Sequence, residues 1–390
     1  MKVLMVHNLY RVRGGEDESF ACESKGLEAA GHSVRRLVFD SSKMSFFERA
    51  LLPLVQIWSL KGYREVARAV EEFQPDVVHF QNTFPLVSRS AYFACRRAKV
   101  PVVQSLRNFR FLCPGDRVFF PGQEVAGERS YGCGSLRASY YKGSALATGF
   151  LKLGNWLHRK MGTVEMDGVT YVAPSSFVRS QFVEGGWNPD RIRVKPNVVP
   201  PSGEGRLNRT RSGAVFVGRL SEEKGLRELL NAWEHVDSDQ PLTIIGDGPL
   251  VGEVEAAAEQ DRRIRYLGRL KLEDALQHVA EARVLVQLSN CCETFGRSIA
   301  EAFSVGTPVI ASVGGAFEEL VDRSRGGLLP PEQDHMCARA ISRLLDMPEA
   351  EWDKLSDGAR EFYRLTLSPD LVTEQLVDVY RRAINNKNVR

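Results

Sequence analysis

The chain has 390 residues, enough for two or three domains with a large core, and its 43% hydrophobic and 26% charged residues are those of a globular protein, not a disordered or fibrous one. Its net charge of +3 is unevenly spread: residues 1–197 hold 28 Lys+Arg against 18 Asp+Glu, a surplus of ten, while the remainder holds 24 against 31. Seven cysteines without a C-x-x-C pair argue against a zinc site or a disulfide framework, and no apolar run approaches the length of a membrane span.

The start, MKVLMVHNLY, runs into a short strand, Val3–Val6, and does not read as a signal peptide, so a cytoplasmic protein is expected. Arg13-Gly14-Gly15-Glu16 is a turn opening a helix to about Ala30. Ser33–Phe39 reads as the second strand, Leu51–Phe73 carries helical patterning, and Val77–Phe80 is a buried strand. A helix around Ser90–Ala98 leads to the strand Val102–Ser105. Residues 115–162, rich in Gly, Tyr, Arg and Phe, read as a long irregular excursion over the active face. Val169–Ala173 resumes the strands, and SSFVRSQFVEGGW is a short helix ending in a glycine turn. Lys195-Pro196-Asn197 closes a first domain, 1–197, and the Pro-, Gly- and Arg-rich residues 198–212 read as a linker. A second series over 213–365 runs through AVFVGRL, LTIIGDGP, IRYLG, ARVLVQL and PVIAS, and residues 366–390 form a helix expected to pack back on the first domain. Repeated βα units imply an α/β fold with two Rossmann-like domains and parallel sheets.

The densest chemistry lies in CCETFGRSIAEAFSVGTPVIAS. Glu293 falls on a loop after a buried strand, just before a helix spanning Gly296–Val305, and Glu301 lies about two turns into that helix. Ligands of open α/β sheets bind at such strand ends, where the N–H groups of Thr294, Phe295 and Gly296 and the helix dipole favour an anion. Two solvated helix glutamates are the default reading of the pair taken alone. Phe216-Val217-Gly218-Arg219-Leu220 followed by SEEKG is again strand, loop and helix start. Gly218 permits close backbone approach, and Arg219 and Lys224 place two cations on one loop, as a diphosphate needs. Alone this is as well read as a charged surface loop; beside Glu293 and Glu301 the phosphate reading prevails.

VGRLSEEKG, IIGDGP, YLGRL and ETFGRSIAEAFSVGTPVIAS together resemble glycosyltransferase family 4, whose members have the GT-B fold of two facing Rossmann-like domains and transfer sugars with retention of anomeric configuration. RGGEDE, QPDVVHFQNTFP, VPVVQSLRNFRFLCPG and YVAPSSFVRSQFVEGGW resemble a branch found in bacterial surface-polysaccharide synthesis, so the similarity covers nearly the whole chain and is weakest over 115–165. The resemblance implies that Arg219 and Lys224 hold the donor diphosphate, that Glu301 binds the ribose, and that Glu293 touches the transferred sugar. It further implies that the N–H groups of Phe295 and Gly296 lie near that sugar or the phosphate. Gly14 and Gly15 match the glycine loop that approaches the diphosphate, where bulk clashes. Gly246, Gly248 and the backbone of Leu267–Leu270 flank the base.

One departure stands out. The branch carries a histidine near the donor sugar where this chain has Arg107, in Leu106-Arg107-Asn108-Phe109-Arg110. An arginine cannot exchange protons near neutral pH but can bind a phosphate or hydroxyl. The change leaves an altered sugar preference, an unusual acceptor or lost activity open. The branch's cysteine pair is also absent, Cys113 and Cys133 being unpaired by spacing. His79 and Asn82, in HFQN, are candidates for the acceptor, with a hydrogen-bonded core histidine the stronger account of His79. His7 and Asn8 fit binding or structure equally. Glu16 or Asp17 can take an acceptor proton, or simply cap a helix start. Asp237-Ser238-Asp239 spells an Asp-x-Asp metal motif but reads as a surface turn. The apolar stretch Phe46–Leu60 suits a membrane surface, although Pro53 disfavours one continuous helix and a buried helix pair is preferred.

The expected activity is retaining, metal-independent transfer of a hexose-type sugar from a UDP-sugar or GDP-mannose to a hydroxyl of a glycan, lipid-linked or small-molecule acceptor, with the acceptor on the basic first domain. No cofactor is expected beyond the nucleotide sugar, and no nucleic acid; peripheral contact with the inner face of the cytoplasmic membrane is allowed. A catalytically altered GT-B scaffold and a nucleotide-sugar epimerase of the same fold are the rivals, while the lack of G-x-G-x-x-G after the first strand weighs against a dehydrogenase.

Overall fold

The computed structural model of the protein describes residues 1–9, 14–44, 51–112, 145–200, 211–330 and 334–388. Arg13, residues 46–50 of the apolar stretch, residues 115–144 of the expected excursion, Cys113, Cys133 and residues 201–210 of the linker lie outside these. The contacts divide the chain into two units, one of Met1–Val198 with Asp370–Arg390 and one of Val199–Pro369.

The first unit is built on an all-parallel sheet ordered β2-β1-β3-β4-β5-β6, from β1 (Lys2–Leu9), β2 (Ser33–Asp40), β3 (Val77–Phe80), β4 (Val102–Ser105), β5 (Val169–Ala173) and β6 (Ile192–Val194). Successive side chains of β1 leave on opposite faces. Leu4 and Val6 join a core with Val66 and Val70 of a helix at Leu60–Phe73, while Val3 and Met5 pack with Leu376, Tyr380 and Ala383 of the last helix, Pro369–Asn388. Helix α1 (Gly15–Ala29) buries Phe20, Glu23, Ser24 and Leu27, one stripe at helical spacing.

Two expectations fail here. Residues 145–160, expected to be irregular, form a helix, Ala145–Lys160. Its packing face carries Thr148, Gly154 and His158 in place of an apolar stripe, so periodicity does not reveal it. A side chain at Gly154 would stand 3.3 Å from Ile57, so the glycine lets the chain at Ile57 come close. The stretch at 51–60 is not a buried helix pair: the short helix Leu52–Ile57, with Pro53 in its first turn, has no buried residue. Leu54 and Leu60 there, like Leu146 and Trp156 of the 145–160 helix, are more than half exposed.

The second unit repeats the plan with the order β12-β11-β10-β7-β8-β9. Its strands are β7 (Ala214–Val217), β8 (Leu242–Ile245), β9 (Ile264–Tyr266), β10 (Val284–Gln287), β11 (Val309–Ala311) and β12 (Gly327–Leu328), again all parallel. Phe216, Ile244, Val286 and Ile310 face one core, and Val215, Leu285, Val309 and Ala311 the other. Parallel pairing brings every strand's carboxyl end, and the loop that follows it, to one edge.

Candidate functional site

In the second unit the loops after β7 and β10 are tied together. Asn290 N donates to Glu223 O at 3.1 Å, and Asn290 Nδ2 to Glu222 O and to Glu228 Oε1 at 2.7 Å. Gly225, at φ 65°, lies so close to β10 that a Cβ would stand 1.5 Å from Leu288 O. This attachment sets Lys224 beside Glu293: Nζ donates to Oε1 at 2.6 Å, and Ser289 Oγ donates to the same oxygen at 3.0 Å. The Glu293 backbone is held as well, its carbonyl accepting from Ala316 N at 3.0 Å. Burial opposes the charge on Lys224, but Glu293 outweighs it and holds the ammonium's pKa above its usual value. Both side chains keep a solvent-facing part, at 31% and 17% exposed.

The remaining donor candidates surround this pair. Arg219 is exposed and makes no side-chain hydrogen bond or ion pair among the described residues. Gly296, at φ 79°, caps the helix Arg297–Ser304 without any side-chain cap, with Thr294 half-buried and Phe295 buried before it. The helix at Gly315–Ser324 also starts without a side-chain cap. Two helix N-termini without side-chain caps and two cations therefore meet at one sheet edge, an arrangement that attracts a polyanion. Glu301 is the fifth residue of its helix, about one turn in and not two; it is buried, and accepts from Arg297 Nε at 2.7 Å. Gly246 supports the loop after β7, since a Cβ on it would stand 1.8 Å from Gly218 O, and a Cβ on Gly248 would stand 2.3 Å from Leu220 O. Gly218 itself has room for a methyl group. Gly246 N donates to Gly268 O at 2.9 Å, which lays the Leu267–Leu270 loop alongside, with Leu270 half-buried. Sequence reading missed Ser289, and also Ser221 and Ser312, whose buried hydroxyls find no hydrogen-bond partner among the described residues. Asp237 and Asp239 are exposed in a turn before β8.

In the first unit Arg107 is not an exposed substitute for a histidine. It is buried, and its Nη2 donates to Glu23 Oε1 at 3.1 Å and to Gln81 Oε1 at 2.5 Å, while Nη1 donates to Asn197. Lys195 Nζ reaches the same Glu23 oxygen at 2.5 Å, and Gln81 Nε2 donates to the other. Burial works against the Glu23 charge, yet Lys195 and Arg107 overcome it and hold the carboxyl at about 2. His79 closes the cluster through Tyr380 Oη at 2.6 Å and Ser105 Oγ at 2.9 Å; burial pushes its pKa down to about 3, so it is neutral at pH 7. With both ring nitrogens engaged, His79 has the core role. Glu23 carried a readable signal, a carboxylate three residues after Phe20 and four before Leu27 on the apolar stripe of α1.

Asn82 is buried and structural, donating to Asn8 O and accepting from Phe84 N at 2.9 Å. Asn8 bonds Ser41 and Leu86, and His7 stacks on Phe20 and meets Asp17 at 2.8 Å. Asp17 also accepts from Gly14 N, so it caps α1. Glu16 accepts from Asn108 Nδ2 at 3.1 Å, and its second oxygen is buried without a hydrogen-bond partner among the described residues. Gly14 and Gly15 are exposed, and Gly14 has open space around its missing Cβ.

A family model of a glycosyl transferase 4-like domain matches residues 22–198, and one of glycosyl transferases group 1 matches residues 211–347. A D-rhamnosyltransferase, WbpZ, of Pseudomonas aeruginosa is 31% identical over 155 residues, which are 38% of this chain and 40% of the relative. An alpha-monoglucosyldiacylglycerol synthase of Streptococcus pneumoniae is 24% identical over 93% of this chain and 81% of its own. Across the first four curated relatives the match spans from 40% to 60% of the relative's length. Among solved structures, Anabaena Alr3699/HepE in complex with UDP superposes with a TM-score of 0.70 at 17% identity, covering 98% of this chain and all of the other. Two matched domains on two parallel-sheet units make the chain a member of the family 4, group 1 glycosyltransferases, with the GT-B fold.

Proposed function

We propose that the chain transfers a hexose-type sugar from a nucleoside diphosphate sugar to a hydroxyl acceptor in polysaccharide or glycolipid biosynthesis. The Lys224–Glu293 pair between two helix N-termini that lack side-chain caps carries this reading. In the absence of donor the pair neutralises itself. A diphosphate would draw Lys224 and Arg219 to its oxygens and free Glu293 for the hydroxyls of the sugar, while Glu301 serves the ribose. Solved relatives of the same fold hold UDP or UDP-glucose, which favours a UDP-sugar over GDP-mannose.

The reading assigns no side chain as a covalent nucleophile. In the retaining course proposed, the C1–O bond to the diphosphate breaks as the acceptor oxygen bonds C1 on the same face, and the acceptor proton passes to the leaving phosphate oxygen. Lys224, Arg219 and the helix dipoles offset the charge that develops there, so the reading calls for no metal ion. The buried ion cluster gives Arg107 a partner for its charge, which favours a working enzyme over a scaffold left by a lost histidine.

Contact with a membrane surface belongs to the same reading. No described helix is long and apolar enough to cross a bilayer. The exposed Leu54, Leu60, Leu146 and Trp156, with Arg159 and Lys160 exposed beside them in sequence, suit a helix pair lying on an anionic surface. The test is a panel of UDP- and GDP-sugars read by thermal shift and then by sugar release. A donor that stabilises the wild type but not Lys224→Ala supports the assignment; no binding across the panel would overturn it.

A further inference from the structure

A small pocket, open to solvent, lies within the first unit at the carboxyl ends of β3 and β4. Its wall includes Arg89, Arg107, Arg110, Asn108 and Asn155, with Phe84 and Phe111, and no carboxylate is among the described residues that line it. Arg89 is the informative member. It is 6% exposed, its Nη2 donates to Asn155 Oδ1 at 2.6 Å, and its guanidinium lies 5.0 Å from the centre of the Phe111 ring. No Asp or Glu pairs with it among the described residues. Burial presses its pKa down to about 10, which leaves it charged at pH 7.

A buried cation without an anion is costly, and proteins retain one where a ligand completes it. The neighbouring cluster does not supply that anion. Glu23 is shared between Arg107 and Lys195, so the three carry one net positive charge, and His79 is neutral. Arg89, Arg107, Lys195 and Glu23 together thus carry two positive charges in excess. The loop that carries Arg89 is rigidly built: Ser59 N donates to Ser88 Oγ at 3.0 Å, Ser59 Oγ to Leu86 O at 2.6 Å, and Ser90 Oγ to Ser59 O at 3.0 Å. Gly62 holds the helix end against it, since a Cβ there would stand 2.4 Å from Val87 O. The fork is therefore set before any ligand arrives.

We propose that this pocket is a subsite for a phosphate ester, with Arg89 as its buried anchor and the aromatic rings Phe84 and Phe111 flanking the group that bears it. Assigning that phosphate to the acceptor rests on the transfer reading; the anion binding does not. The pocket's other lining, Gln56, Leu151 and Asn155, comes from the two helices whose Leu54 and Trp156 are exposed, so a phosphate carried by a lipid and one carried by a soluble sugar are both within its chemistry.

Titration calorimetry of the full chain with a hexose phosphate, inorganic phosphate and the neutral hexose tests this. The hexose phosphate should bind, more weakly as salt rises, and the neutral hexose at least about tenfold more weakly. Arg89→Gln should reduce hexose-phosphate affinity about ten- to a hundredfold, with Arg89→Lys recovering part of it, while the thermal shift given by UDP on the second unit stays unchanged. Vesicles of phosphatidylcholine with and without phosphatidic acid form the second arm. Arg89-dependent binding confined to the acidic vesicles assigns the phosphate to a lipid, and binding of the soluble ester assigns it to a sugar. Equal binding of phosphorylated and neutral ligands by the wild type, or a folded Arg89→Gln chain that binds both probes as the wild type does, overturns the proposal. A loss of transfer with anion binding intact would instead count against the enzymatic reading alone.

Discussion

Glu23→Gln is the sharpest test of the buried cluster. The substitution keeps the shape of the side chain and removes the charge that Arg107 and Lys195 share. The cost follows in two independent ways. Glu23 titrates at about 2 in the folded chain against an ordinary 4.5, and at about 1.4 kcal/mol per pH unit this corresponds to roughly 3 kcal/mol of stability at pH 7. Breaking one partner out of a buried ion pair costs about 3–5 kcal/mol in general, because the remaining charge is left uncompensated. With about 2–4 °C per kcal/mol for a unit of this size, the first unit should melt about 6–20 °C lower. Trp58, Trp156 and Trp187 report on that unit by fluorescence, and the melting of the second unit, which holds Trp233 and Trp352, is the internal control. Adding Arg107→Gln to Glu23→Gln should restore part of the loss, as only Lys195 then remains uncompensated. A single variant melting within about 2 °C of the wild type, at roughly 1 kcal/mol or less, would refute the account of Glu23 as the shared anion.

Lys224→Ala should weaken nucleotide-sugar binding about ten- to a hundredfold while costing about 1 kcal/mol or less in stability, since its pair with Glu293 is partly exposed; calorimetry and denaturation separate the two. Gly225→Ala should destabilise the second unit by more than about 3 kcal/mol, because the backbone is left-handed and Leu288 O blocks the methyl group. Gly14→Ala, with φ at −142° and open space, should shift stability by less than about 1 kcal/mol, so any loss it brings in sugar transfer reports on ligand approach and not on folding. On acidification the first unit should weaken early. His79 titrates at about 3 when folded and 6.5 when unfolded, so its contribution is whole above pH 6.5 and is lost as pH falls, by about 3 kcal/mol at pH 4.5. Glu23 adds its own loss from pH 4.5 down to about 2, and His79→Asn should flatten the upper part of the melting-temperature profile.

The strands were legible because their signal is local. Val77–Phe80, Val102–Ser105, Val169–Ala173 and Ala214–Val217 are short apolar runs closed by polar or glycine turns, and a strand buried on both faces has no other way to be written. The 145–160 helix was not legible for the converse reason: its buried positions are Thr148, Gly154 and His158, while Leu146, Leu153 and Trp156 face outward. The candidate donor site was half legible. Glu293 and Lys224 stand out in sequence, but nothing in either stretch says that they meet, because the meeting depends on Asn290 and on the absence of a side chain at Gly225. Arg107 shows the limit most clearly. Beside its immediate neighbours it reads as a lost histidine, since the residues that neutralise and aim it, Glu23, Gln81 and Asn197, come from three other places in the chain. The same reasoning separates it from Arg89. Both are buried arginines in one pocket wall, yet among the described residues only Arg107 has an anion, and a residue's partners, not its burial, decide whether a charge belongs to the structure or to a ligand.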